Sequence, residues 1–120
     1  MSWCEMSEEP MELLGEYCRE VGAELLVDAK GRGFVIYVVQ PPHGRIKECY
    51  VRPQFRRQGV GLALCGLVGQ MVKELGCTHL LSAVSIKAGS AMNSVAAHLG
   101  GGAVITDARD GVLTFEWVIP

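Results

Sequence analysis

The sequence predicts an α+β domain built on one central mixed sheet. Three observations carry this expectation. An amphipathic helical stretch precedes two β-rich stretches, a long apolar helix stands between two strands, and an Asp-Gly pair closes a hairpin near the C-terminus. At 120 residues, with no internal repeat, low-complexity tract or linker, the chain reads as a single domain over 1–120, with residues 1–7 as a flexible tail.

The elements follow in order. Ser7, Glu8, Glu9 and Pro10 combine a capping hydroxyl with first-turn acids and a proline, which favours a helix start. Met11, Leu14, Tyr17, Cys18 and Val21 then recur at helical spacing until Gly22. Glu24 to Asp28 reads as a short strand and Ala29 to Gly33 as a turn. Phe34 to Gln40 is β-branched and aromatic, as expected of a strand buried on both faces, and Pro41-Pro42-His43-Gly44 forces a turn. Arg45 to Arg52 alternates, with Ile46, Glu48 and Tyr50 on one face and Lys47, Cys49 and Val51 on the other. Gln58 to Leu75 is the strongest helix, with an apolar stripe of Val60, Leu64, Leu67, Val68, Met71, Val72 and Leu75 that Gly76 ends. Thr78 to Ser85 is a second buried strand, and Gly89 to Leu99 a shorter helix broken by Gly100-Gly101-Gly102. Ala103 to Asp107 and Val112 to Val118 flank the Asp110-Gly111 turn. The strand–helix–strand run in the middle implies a parallel crossover.

Composition narrows the function classes. A net charge of −2 argues against general nucleic-acid binding, which needs a basic face. No stretch approaches the roughly 20 apolar residues of a membrane span, and the acidic start lacks the apolar segment of a signal peptide. The five cysteines (Cys4, Cys18, Cys49, Cys65, Cys77) contain no C-x-x-C pair, so they read as reduced thiols of a cytoplasmic protein rather than as a zinc site or a disulfide framework. His43 and His79 lack metal-ligand spacing, and no metal site is expected; His79 begins a buried strand, where local capping or packing occupies it.

The run from Val51 to Leu64 carries most of the chemistry. A strand end, a basic turn and a helix with two first-turn glycines leave backbone N–H groups unpaired at the positive end of a helix dipole, which suits a phosphate. Arg56 and Arg57 add charge at the mouth, and Gly59 and Gly61 let a bulky anion lie against the backbone. Two familiar phosphate loops do not fit. There is no G-x-x-x-x-G-K-[ST], and Gly59-Val60-Gly61 has Leu64 where a dinucleotide fingerprint has its third glycine.

The pattern that remains, Val51-x-Pro53-x-x-Arg56-x-x-Gly59-x-Gly61-x-x-Leu64, resembles the acetyl-CoA-binding motif of the Gcn5-related N-acetyltransferase (GNAT) superfamily. The resemblance extends over about residues 8–118, with the first family strand missing or merged into a short N-terminus. It implies a compact GNAT-like fold: a mostly antiparallel mixed sheet, flanked by helices, with one splayed parallel strand pair. It implies acetyl-CoA as co-substrate, with its pyrophosphate on the turn (Arg56, Arg57, Gln58, Gly59, Val60, Gly61 and Leu62). Its pantetheine arm would pair with Cys49, Tyr50 and Val51, completing the open strand edge. Ser90 and Asn93, on the shorter helix, could bind the pantetheine or adenosine side, or simply start that helix.

The implied reaction is direct attack of an amine on the thioester, with a backbone N–H near Val51 as oxyanion donor. Glu48 is the candidate base if burial tunes it; a solvent-facing strand Glu is the alternative. The family commonly carries a Tyr four residues before a helix-ending Gly. Counting from Gly100 places Ala96 there, whereas counting from Gly102 places His98 there, an imidazole able to protonate a thiolate; a surface histidine is the alternative. Cys49 and Cys65 are conceivable nucleophiles, but Cys65 lies in an apolar helix with no His near in sequence and reads as a core thiol.

Two readings stand at this stage. One is an N-acetyltransferase acting on a small-molecule or protein amine, with Glu12, Glu16, Glu48, Asp107 and Asp110 favouring a cationic acceptor. The other is a CoA-binding module with an interaction or structural role, favoured by the missing Tyr and the triple glycine. Very compact GNAT-like chains resemble those of phage and mobile-element genomes. The apolar C-terminal strand through Phe115 and Trp117 suggests pairing across a homodimer, with Pro120 blunting further extension and Trp3 docking on the same surface.

Overall fold

The computed structural model describes residues 9–89 and 91–120. Helix α1 (Glu9–Glu20) leads into strands β1 (Glu24–Val27), β2 (Gly33–Gln40) and β3 (His43–Val51). A 3-10 turn at Pro53–Phe55 precedes α2 (Val60–Glu74), then β4 (His79–Ser85), α3 (Ala91–Gly100), β5 (Val104–Arg109) and β6 (Val112–Val118). Ser7, Glu8 and Trp3 lie outside the described residues, as do Cys4 and Ser90. Among the described residues, no helix is long and apolar enough to cross a membrane.

The six strands form one sheet in the order β1-β2-β3-β4-β6-β5, with every neighbour antiparallel except β3 and β4. This is the expected mixed sheet with one parallel pair. The apolar stripe of α2 covers one face: Val60, Leu64, Val68 and Val72 pack with Val35, Tyr37, Ile46 and Leu80. Leu64, Val68 and Val72 are at most 2% exposed, and burial of each contributes roughly 1.5–3 kcal/mol relative to exposure. On the same face, Ala91 of α3 joins Val84, Ala103 and Phe115. The other face carries α1, whose Cys18 packs with Ala23 and Ile36. Strand β2 is therefore buried on both sides, as its composition predicts.

Two expectations are corrected. First, β3 does not alternate evenly. Ile36 pairs with Glu48 and Tyr37 with Ile46, leaving Lys47 as a β-bulge. The bulge reverses the alternation, so Ile46 shares the α2 face with Cys49 and Val51, while Glu48 and Tyr50 face the α1 side. Second, β6 is not an edge strand. It pairs with β4 from Val112 to Val118 and with β5 from Val112 to Glu116, so it lies one strand in from the edge. The edge at that side belongs to β5.

The β1–β2 turn is held by a carboxylate network. Asp28 accepts backbone hydrogen bonds from Lys30 (3.2 Å) and Arg32 (3.1 Å), and its two oxygens receive Nε and Nη2 of Arg32 at 2.7 and 3.0 Å. The Arg32 side chain, reinforced by these amides, holds the Asp28 carboxyl well below the usual carboxylate range. A depressed folded-state pKa means the contribution is complete above the unfolded value, near 4, and is lost as pH falls below it. Urea denaturation across pH 7 to 2.5 should therefore show wild type losing more stability below about pH 4 than Asp28→Asn does. Parallel pH profiles for the two proteins would contradict the network.

Candidate functional site at a strand fork

The parallel pairing of β3 and β4 stops almost as soon as it starts. Only His43–Arg45 and His79–Leu81 are in register. Beyond Arg45, β3 follows β2 to the Gly33–Val51 pair, while β4 follows β6 to the Ser85–Val112 pair. Each strand is drawn along by its own antiparallel partner, and the bulge at Lys47 bends β3 where the two separate. The result is a fork, with Ile46–Val51 on one arm, Ser82–Ser85 on the other, and both inner edges without strand partners among the described residues.

The basic turn lies at the end of the β3 arm. Phe55 N–H donates to Arg52 O and Arg56 N–H to Pro53 O; the next bonded amide is Ala63, which donates to Gly59 O at 3.0 Å. The amides of residues 57–62 thus make no backbone hydrogen bond among the described residues. Arg57 and Gly59 have φ of 63° and 79°, so left-handed residues alternate through the turn, a backbone pattern that suits an anion. Gly59 caps α2 without a side-chain hydrogen bond, and no acid stands in the first turn of α2 to neutralise its positive end.

The two glycines have different roles. A Cβ on Gly59 would meet nothing within 4 Å, so its contribution is the left-handed backbone and an open face. A Cβ on Gly61 would point at Val51 Cγ2 and Cys49 Sγ, 3.5 and 3.6 Å away. These are ordinary van der Waals distances, so a methyl group at Gly61 would rest against β3 and point away from the open side of the turn. The arginines also diverge. Arg56 folds back, donating from Nε to Val51 O at 2.9 Å and lying 5.7 Å over the Tyr50 ring. Arg57 is exposed and makes no ion pair among the described residues. Gln58 braces the turn from its side-chain amide to Gln54 O.

Glu48 sits on the β3 arm, exposed rather than buried, on the α1 face. Along that face, Tyr50 packs on Phe34 with ring centres 5.7 Å apart. Both rings help line a concavity of about 500 Å³ that reaches Arg52 and Gln54. A second, of about 570 Å³, lies on the opposite face between α2 and the C-terminal residues, with Leu62, Cys65 and Trp117 in its wall. Cys49 and Cys65 are neighbours. The Cys65 thiol holds Cys49 below the ordinary thiol range, whereas Cys49 and burial push Cys65 far up.

His98 belongs to the other side of the sheet. Its Nδ1 donates to Ser94 O, its Nε2 lies 3.0 Å from Ser82 Oγ, and its ring stacks on Phe115 and Trp117 at 4.5 and 5.1 Å. Ser82 is the first β4 residue past the paired segment, so His98 reaches the β4 arm through that hydroxyl. The fold therefore does not bring Glu48 and His98 together; they flank the fork from opposite faces. Asn93 is exposed on α3. Of the acids expected to attract a cation, Asp107 is paired with Arg109 at 3.1 Å.

Sequence reasoning missed one grouping. His43, His79 and Glu116 come from three strands and converge on the α1 face, with His43 Nε2 at 3.8 Å and His79 Nε2 at 4.0 Å from Glu116 Oε1. Their wide separation in the chain leaves no local spacing to read.

Comparison with known proteins agrees with this architecture. The model of the acetyltransferase (GNAT) family matches residues 5–100. The chain belongs to that family. No curated protein matches it. Among solved structures it is similar to a putative GNAT-family acetyltransferase from Desulfovibrio desulfuricans (TM-score 0.73, 17% identity, 97% of this chain and 82% of that one). It is also similar to the PaiA N-acetyltransferase of Thermoplasma acidophilum, solved with coenzyme A (TM-score 0.74, 14% identity, 93% and 71%). A third is a Bacillus subtilis acetyltransferase, also in complex with CoA (TM-score 0.68, 13% identity, 92% and 86%). At these identities the likeness establishes the fold.

Because His98 satisfies the buried Ser82 and fills the space between α3 and two aromatic rings, its removal has a structural cost. His98→Ala should destabilise the protein by roughly 1–3 kcal/mol in urea denaturation. An unchanged midpoint would place the ring outside the packed core.

Proposed function

We propose that this chain is an acetyl-CoA-dependent N-acyltransferase that transfers an acetyl group to an amine by direct attack. The observation that carries the reading is the junction of an anion-binding helix start with an open strand fork. A pyrophosphate on the amides of residues 57–62 would leave the pantetheine arm to run along Cys49, Tyr50 and Val51, where its amides can pair with the free edge of β3. Arg57 would approach the phosphates, while Arg56, bound to Val51 O, fixes the strand end against the turn. Leu62 and Val60 provide amides, and Asn93 lies on the helix of the opposite arm.

With the phosphates at the start of α2, the amine would approach from the α1 face, a reading supported by the exposure of Glu48 on the β3 arm. Glu48 would take the amine proton, directly or through water. The departing thiolate is weakly basic and needs modest acid help; it would take the Ser82 hydroxyl proton while His98, as the imidazolium, replaces that proton from Nε2. A second reading, cofactor binding without transfer, draws support from Ala96 at the position where the family commonly has Tyr.

Two measurements test this. CoA should raise the melting temperature of wild type, and Gly59→Val, which forces a β-branched residue into a left-handed backbone, should remove most of that shift. No stabilisation of wild type by CoA would sink both readings. With an amine panel and thiol release as readout, Glu48→Gln should keep the CoA shift and lower kcat by roughly 100-fold. Cofactor binding without thiol release from any amine would favour the second reading, and an unchanged kcat in the variant would remove Glu48 from the reaction.

A further inference from the structure

We propose that His43, His79 and Glu116 form a binding site for a divalent transition metal of the zinc class, which ties β3, β4 and β6 together at the closed end of the fork. The three side chains each offer one ligand atom, and those atoms all lie within 4.8 Å of one another. A tetrahedral ion with bonds of about 2.0–2.2 Å separates its ligand atoms by roughly 3.3–3.6 Å. The closure required is about 1 Å, within reach of side chains that are 24–41% exposed.

The register makes the grouping a property of the sheet. His43 and His79 are direct partners in the parallel pair, and Glu116 pairs with Leu81, two residues along β4 on the same face as His79. The ring centres of the histidines are 5.7 Å apart. A partner for the other ring nitrogen is also in place: His79 Nδ1 is 2.7 Å from Thr78 Oγ1, which in turn is 3.5 Å from Pro42 O. With a metal on Nε2, the atom facing Glu116, the His79 proton would sit on Nδ1 and the Thr78 hydroxyl oxygen would accept it. Two imidazoles and one carboxylate suit zinc, cobalt or nickel in preference to magnesium or calcium, and partial exposure leaves a coordination position to water. Thiolates take no part, because none of the three ligands is a cysteine.

The location gives the ion a structural task. The parallel strands are in register over only three residue pairs, and His43–His79 is the first of them. A metal bridging both histidines to β6 would pin the point from which the arms diverge. This site lies apart from the basic turn and does not depend on the acyltransferase reading.

The full chain, stripped of metal, should bind one Zn²⁺ per molecule in competition with a chromophoric chelator and melt at a higher temperature when loaded. Its Co²⁺ form should show visible ligand-field bands without a thiolate charge-transfer band. Glu116→Gln, which keeps size and shape, and His43→Ala should each weaken Zn²⁺ binding tenfold or more. Thr78→Val should weaken it about tenfold while leaving the ligands intact. The proposal is overturned if wild type binds no Zn²⁺ at micromolar concentration, if Glu116→Gln binds as tightly as wild type, or if the Co²⁺ spectrum reports sulfur. Since Glu116→Gln is isosteric, misfolding of His43→Ala would not rescue the proposal from an unchanged Gln variant.

Discussion

The structure turns on a competition for strand edges. β3 and β4 are parallel neighbours, but each has a longer antiparallel partner, and parallel pairing yields less per residue than antiparallel pairing. After three residue pairs the antiparallel partners win and the sheet splits. The bulge at Lys47 falls two residues past the last shared pair and bends β3 away from β4. A split inside a sheet exposes backbone donors and acceptors that are otherwise costly to leave unpaired. An amide-bearing chain can satisfy them, which is why the fork and not either side concavity is the natural centre of the molecule.

Helix α2 links the fork to the turn proposed to hold the diphosphate. It crosses from one arm to the other, so its start must sit at the tip of β3. Its apolar stripe against Val35, Tyr37, Ile46 and Leu80 fixes that position. The left-handed backbone at Arg57 and Gly59 turns the connecting amides in one direction. The positive character is local, set by helix dipole, free amides and Arg57, in a chain whose net charge is −2. This separates phosphate recognition from nucleic-acid binding, which relies on a broad basic face.

Much of this was legible in the sequence because the signals were local. The Val51-to-Leu64 run, the Val60, Leu64, Val68 and Val72 part of the α2 stripe, the β-branched composition of β2 and the Asp110-Gly111 turn are each contained within one element or one connection, whereas Leu67, Met71 and Leu75, expected in the same stripe, are exposed. What escaped was set by pairing between distant segments. The bulge at Lys47 appears only in the register of β2 on β3, and it reverses the faces of Ile46 and Glu48. The sequence places β6 near an edge, and the pairing adds that β5 folds back outside it. His98 carried no sign of its partners, since Ser82, Phe115 and Trp117 are brought to it by the β4–β6 pairing. The same pairing assembles His43, His79 and Glu116, three residues with no common motif.

The central claim is that the amides of residues 57–62 bind the diphosphate of coenzyme A while the β3 arm receives its pantetheine. Backbone-amide NMR of the labelled protein titrated with CoA tests it most directly. The account predicts large downfield shifts confined to the amides of residues 57–62, as charge-assisted hydrogen bonds form, with smaller changes over Cys49–Val51 and little change in β1. Shifts centred elsewhere, for instance along the concavity beside Trp117 with residues 57–62 unmoved, would contradict it.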